Sequence, residues 1–193
     1  MGIDFYTAVE AGDIEEVRKF LNWGADVNAQ LTDGWTPLHI AVANGQTETA
    51  ELLLDRGADV NARSSVDWTP LHWAVGQGHT EVAALLIDRG ADVNVRGGDV
   101  DFTSLHYAAQ GGQTETAALL LDRGAAVDVR NRDDYTPLHV AAFKGQTETA
   151  SFLLDRGAAI NAQTKQGQTP LYWAEKYHHA ETAAFLRQRG GVG

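Results

Sequence analysis

The sequence predicts an all-α solenoid of helix-turn-helix units joined by hairpin-like loops, and three observations carry that prediction. The first is a motif: "TPLH" stands at residues 36–39, 69–72 and 136–139, with "TSLH" at 103–106 and "TPLY" at 169–172. The second is its step, which runs 33, 34, 33 and 33 residues from one Thr to the next. The third is an independent marker in the same register: "GADVN" at 24, 57 and 90, "GAAVD" at 124 and "GAAIN" at 157. Two markers that keep one register mean tandem duplication of a structural unit.

One unit, residues 34–66, justifies the elements in order. Thr36 followed by Pro37 is a helix start, because Thr caps free amides and Pro suits the first turn. His39 stands three residues after the cap, where a polar side chain reaches back as Glu does in a capping box. Gly45 offers the left-handed residue that ends this first helix. In "QTETAELLLDR" the residues Thr47, Ala50, Leu53 and Leu54 keep helical spacing, and Gly57 ends the second helix. "ADVNARSSVD" then has no helical period and is extended and turn-forming. Helices this short bury no apolar face alone, so neighbouring units must stack into a continuous core.

Composition narrows the class. The chain has 193 residues, 44% of them apolar, and only 4 prolines, which is globular rather than disordered material. It has no cysteine, which excludes disulfides and thiolate metal sites and points to the cytoplasm. The start "MGIDFYTAVEAGD" lacks the basic flank and apolar core of a secretory signal. Gly2 is not followed by the Ser or Thr that myristoylation requires, since the sixth residue is Tyr6. No apolar run reaches membrane-spanning length, so no membrane association is expected. A formal charge of −11 repels phosphate backbones and argues against nucleic acid.

These residues resemble the ankyrin repeat, a 33-residue unit with a T-P-L-H-x-A pattern. The matching set is Thr36-Pro37-Leu38-His39-Ile40-Ala41, Gly45, Leu53-Leu54 and Gly57-Ala58-Asp59-Val60-Asn61, and it recurs through residue 161. Residues 1–33 lack TPLH but keep Ala8, Gly12, Val17, Leu21 and Gly24 in register; residues 167–193 keep "TPLYWA" but have no following loop. The expected organisation is one domain over 1–193, with an N-terminal capping unit at 1–33, four internal repeats over 34–166 and a C-terminal capping unit at 167–193. Lys19, Arg187, Gln188 and Arg189 suit end units whose outer face meets water.

Three departures from the family pattern matter. Thr49, Thr116, Thr149 and Thr182 stand where the family usually has Ile or Val, and each is expected to bond back to the preceding turn. His178 takes the glycine position that ends helix one elsewhere, which predicts a strained left-handed residue. An extra residue falls in "RGGDVDF" at 96–102, at a loop tip.

Catalytic and metal chemistry find little support. His39, His72, His106 and His139 occupy one position in successive units. Helices that pack roughly 8–10 Å apart cannot converge such a ladder on one ion with ligands at about 2 Å. His178 and His179 beside Glu181 are expected to lie on the surface. There is no Gly-x-Ser-x-Gly elbow and no phosphate-cradling Gly-Lys-Ser/Thr loop. Glu48, Glu81, Glu115, Glu148 and Glu181 recur with the period, as scaffold carboxylates do, and the repeated "DRG" pairs are expected at solvated edges. The expectation is no enzyme, no metal and no cofactor.

Function should lie where the units differ. The resemblance implies a concave surface made of loop tips and first helices that meets partners. The residues just before each TPLH-type motif are Trp35, Trp68, Phe102 and Tyr135, then Gln168, with Asp33, Asp67, Asp99, Asp101, Asp133 and Asp134 beside them. Four successive aromatics suggest an interface stripe, although they could also serve to cover neighbouring loops. Trp73, Tyr107, Phe143, Lys144 and Tyr177 extend it, with Trp73, Tyr107 and Trp173 also able to turn into the core. The partner set is therefore Trp35, Trp68, Phe102, Tyr135, Asp33, Asp67, Asp101, Asp134, Trp73, Tyr107, Phe143 and Lys144. The expected function is a monomeric, cytoplasmic protein–protein interaction module whose partner offers an apolar patch with basic flanks. A uniform "GQTETA" framework beside variable loops fits a natural adaptor and an engineered binder equally.

Overall fold

Each repeat writes two short helices and then ties them to the next repeat with side-chain hydrogen bonds. The computed structural model describes residues 4–193 and, among them, twelve helices and no strand beyond one isolated bridge between Gly97 and Phe102. Gly2 lies outside the described residues. The helices fall into two compact units, Met1–Asp92 and Val93–Gly193. The first contains α1 (Phe5–Ala11), α2 (Ile14–Asn22), α3 (Pro37–Ala43), α4 (Thr47–Asp55), α5 (Pro70–Gly76) and α6 (Thr80–Asp88). The second contains α7 (Ser104–Gly111), α8 (Thr114–Asp122), α9 (Pro137–Lys144), α10 (Thr147–Asp155), α11 (Pro170–Lys176) and α12 (Ala180–Gln188).

Within each unit first helices stack on first helices and second helices on second helices, as in α7–α9–α11 and α8–α10–α12. Each unit closes over leucines at equivalent positions, Leu38, Leu53, Leu71 and Leu86 in the first and Leu105, Leu120, Leu138 and Leu153 in the second, all fully buried. Apolar burial of this kind is the term that makes stacking favourable.

The TPLH motif is a capping box, as its spacing predicts. Thr36 with His39, Thr69 with His72, Thr103 with His106 and Thr136 with His139 all form one. It also reaches beyond its own repeat. Nε2 of His39 meets the carbonyl of Trp68 at 3.2 Å, that of His106 meets Tyr135 at 3.0 Å, and that of His139 meets Gln168 at 3.1 Å. A carbonyl can only accept, so Nε2 carries the proton, and Nδ1 accepts the Thr N–H. With both nitrogens committed, these imidazoles have no lone pair left for a metal.

The second marker is an inter-repeat clamp. Asn28 donates to the Gly57 carbonyl at 3.1 Å and accepts the Asp59 N–H at 2.8 Å. Asn61 does the same to Gly90 and Asp92, and Asn161 to Gly190 and Val192. The "DRG" arginines also bridge repeats, Arg89 pairing with Asp55 and Glu51 and Arg156 with Asp122, and Arg189 in the equivalent "QRG" pairs with Asp155, all partly exposed.

Two expectations need correction. The hydroxyls of Thr149 and Thr182 do not bond to their own preceding turn. They meet Thr114 at 2.9 Å and Thr147 at 2.7 Å in the preceding repeat, because α8, α10 and α12 pack side by side there. His179 is half-buried rather than on the surface, and its Nε2 donates to the Phe143 carbonyl at 2.8 Å. His178 does adopt the left-handed backbone its position demands, with φ 59°, where the equivalent Gly45 and Gly145 have 67° and 70°.

Candidate functional site

The hairpin tips are built by a short ladder that aims the residue before each first helix. Leu31 N–H donates to the Trp35 carbonyl, Ser64 to Trp68, Asn131 to Tyr135 and Thr164 to Gln168. The three residues between form the tip, and the last of them is left-handed, a common hairpin solution. In two repeats that residue is glycine, Gly34 (φ 77°) and Gly167 (φ 75°); in the others it is Asp67 (58°), Asp101 (55°) and Asp134 (63°). Short Asp is among the few side chains that tolerate this backbone. The extra residue of the third tip sits between Gly97 and Phe102, which exchange both backbone hydrogen bonds across a four-residue loop.

This register sorts the carboxylates into two positions. Asp67, Asp101 and Asp134 share one position, but Asp33 is equivalent to Asp133, one residue earlier. The Asp33 carbonyl accepts the Ser65 N–H and the Asp133 carbonyl the Lys165 N–H, each tying one tip to the next. The acidic residues are also partly compensated: Asp67 lies 3.7 Å from Arg63, Asp101 accepts from Arg132 at 3.2 Å, and Asp134 lies 4.0 Å from Arg130. Such exposed pairs are weak, so the carboxylates keep most of their field.

The aromatics before the first helices are half-buried rather than standing in water. In the first unit Trp73 lies between two of them, 4.6 Å from Trp35 and 4.7 Å from Trp68. In the second unit Phe102 stacks on His106 at 4.7 Å and meets Tyr107 edge-on at 5.5 Å. Tyr135 contacts Trp173 at 5.4 Å, and Phe143 contacts Trp173 at 5.8 Å and Tyr177 at 4.5 Å. Trp73, Tyr107 and Phe143 are half-buried and Lys144 is exposed. Trp173, at 8% exposure, has turned into the core. Burial, with a smaller contribution from Asp133, pushes the Tyr135 phenol above its usual range.

These contacts frame a cleft in each unit. In the second unit a cavity of about 370 Å³ is walled by Phe102, Tyr135, Phe143, Trp173, Tyr177 and Lys144, with Val100, Gln110, Asn131, Asp133 and Val140 completing it. In the first a cavity of about 400 Å³ is lined by Tyr6, Glu10, Leu31, Trp35, Ile40, Ala43, Asn44, Trp73 and Gln77. Eight of these positions correspond at an offset of 100 residues, three repeats, from Glu10 and Gln110 to Gln77 and Tyr177. The same cleft is thus furnished twice with different side chains.

The two units also differ in charge. Residues 1–92 hold fifteen acidic and five basic residues, a net −10; residues 93–193 hold eleven and ten, a net −1. Trp23, at 75% exposure, is a surface residue that sequence reasoning missed. Its signal was present, since Trp23 stands where every later repeat has an Arg: Arg56, Arg89, Arg123, Arg156 and Arg189.

Among the described residues no helix is long and apolar enough to cross a membrane. Comparison with known proteins agrees with this geometry. A family model of ankyrin repeats in three copies matches residues 5–97 and 105–192. A chain in the solved complex of the predatory endopeptidase Bd0816 from Bdellovibrio bacteriovorus with immunity protein Bd3460 is similar at TM-score 0.88 and 29% identity, over 96% of this chain and 97% of that one. The human ASB11 ankyrin repeat domain is similar at TM-score 0.88 and 25% identity, over 97% of this chain and 84% of that one. Among curated proteins none matches the sequence. Ankyrin repeats are typically a protein–protein interaction module and generally a non-catalytic one. The chain belongs to the ankyrin-repeat family.

Proposed function

We propose that this chain is a non-catalytic binding module that holds a partner protein on its hairpin tips and first helices. The observation that carries the reading is the aromatic column itself. Trp35, Trp68, Phe102 and Tyr135 stand in successive repeats, half-exposed and held at fixed angles by Trp73, Tyr107 and Trp173. Rigid, half-exposed aromatics are what interface anchors are made of, and a surface already ordered loses little entropy on binding. The solved neighbour that contains a complex with a protein partner supports the same class of function.

The partner surface comprises those four aromatics with Trp73, Tyr107, Phe143 and Lys144, and the carboxylates of Asp33, Asp67, Asp101 and Asp134 at its edge. The first unit's excess of acid favours a partner patch that is apolar with basic flanks. The net charge of −11 favours protein over nucleic acid. The proposal takes residues 1–193 as one domain acting as a cytoplasmic monomer, a setting that a chain without cysteine suits. It is tested by capturing the partner on wild-type protein and measuring its affinity for aromatic-to-Ala variants that remain folded.

A further inference from the structure

We infer that the cleft of the second unit receives a bulky apolar side chain flanked by a carboxylate, presented by a segment of the partner protein. This rests on the partner-binding reading above and names what the second unit contributes to it.

Three observations select this occupant. The first is apolar capacity. The cavity of about 370 Å³ is walled by Phe102, Tyr135, Phe143, Trp173 and Tyr177, which suits one large side chain and its adjoining backbone. Its wall is pre-formed, because Asn131 donates to the Val100 carbonyl and accepts the N–H groups of Asp133 and Tyr135.

The second is charge. Lys144 lies 5.0 Å over the Phe143 ring, and Lys176 lies 4.7 Å over the Trp173 ring and 5.9 Å over that of Tyr177. Neither ammonium has an ion-pair partner among the described residues. These cations already cover the ring faces, so a cationic guest meets repulsion where an aromatic cage would otherwise attract it. A carboxylate meets the lining ammonium of Lys144, with that of Lys176 beside the Trp173 and Tyr177 rings, against one lining acid, Asp133. The Trp173 Nε1–H, buried in the same wall, has no acceptor among the described residues, and a guest oxygen is the kind of group that would satisfy it.

The third is the internal comparison. The equivalent cleft of the first unit has Ala43 for Phe143, Asn44 for Lys144 and Gln77 for Tyr177, and it carries Glu10 where the second has Gln110. The same cleft thus appears once with an acid, Glu10, and once with a cation, Lys144. The partner accordingly presents basic residues to the first unit and an acidic apolar anchor to the second.

The test uses the full chain and three probes that share one phenyl group: 3-phenylpropionate, 3-phenylpropionamide and 2-phenylethylammonium. Each is titrated while amide and indole N–H resonances are followed by NMR. The expected result is that the carboxylate binds several-fold more tightly than the amide and the ammonium least tightly, with shifts centred on Phe143, Lys144 and the Trp173 indole. Lys144→Gln with Lys176→Gln, both exposed, should bring the carboxylate down to the amide. Ala43→Phe with Asn44→Lys should give the first unit's cleft a preference for the carboxylate. Absence of localised shifts for every probe up to its solubility limit overturns the inference, as does tightest binding of the ammonium, or an undiminished carboxylate preference in the lysine variant. No partner is needed, so a failure here removes the pocket and leaves the aromatic column to be judged by its own variants.

Discussion

Nε2–H of His139 donates to the backbone carbonyl of Gln168 at 3.1 Å, joining a helix start to the hairpin of the next repeat. On the other side of the ring Nδ1 accepts the Thr136 N–H at 3.1 Å. A second ring proton would have to sit on Nδ1 and face that N–H. Burial holds His139 and His106 down to about 4, and lowers His39 as well. Since the folded values lie below the unfolded one near 6.5, stability is fully present above pH 6.5 and is lost as pH falls towards 4. The melting temperature should therefore decline between pH 6.5 and 4. His139→Gln should be less stable at pH 7 and decline less steeply, which thermal melts across that range would show. Equal slopes for both proteins would contradict this.

Leu86, fully buried in α6, tests the placement of the core. Leu86→Ala should cost about 2–5 kcal/mol by denaturant unfolding. An unchanged midpoint would mean the stacking face is elsewhere.

Asn28 tests the clamp. Asn28→Ala loses both the bond to Gly57 and the one from Asp59 and should cost about 1–3 kcal/mol. Asn28→Asp keeps the acceptor, as Asp128 does towards Ala159, and should cost less. Urea melts of both variants check the order, and equal losses would show that the acceptor contributes nothing.

The two motifs that revealed the repeat were legible because each is local: Thr36 and His39, or Gly57 and Asn61, lie within one stretch of chain. Their second roles were not, since His39 meets a carbonyl 29 residues away and Asn28 a backbone 29 and 31 residues away. The Thr149 hydroxyl was misjudged for the same reason, its partner being Thr114 in another repeat. The aromatic column was visible as a list, but its half-burial depends on Trp73 and Trp173 reaching across from neighbouring helices. The left-handed φ of Asp67, Asp101 and Asp134 had a trace in Gly34 and Gly167, which are in register with them.

That register offers a clean test of the carboxylates. Replacing Asp67, Asp101 and Asp134 together by Gly puts the freest residue at a left-handed position, so the melting temperature should hold or rise. If the acids steer a basic partner patch, association should slow and its salt dependence should flatten. Stopped-flow association at two salt concentrations checks this, and an unchanged rate would remove Asp67, Asp101 and Asp134 from the interface.

The claim that the aromatic column binds a partner is tested most directly by affinity. The partner captured on wild-type protein is titrated calorimetrically against Trp35→Ala/Trp68→Ala and Phe102→Ala/Tyr135→Ala. Circular dichroism checks that each variant stays folded, since half-buried rings leave some loss of stability. The account predicts folded variants whose affinity falls by about 2 kcal/mol or more for each anchor removed. Folded variants that bind the same partner with wild-type affinity would contradict it.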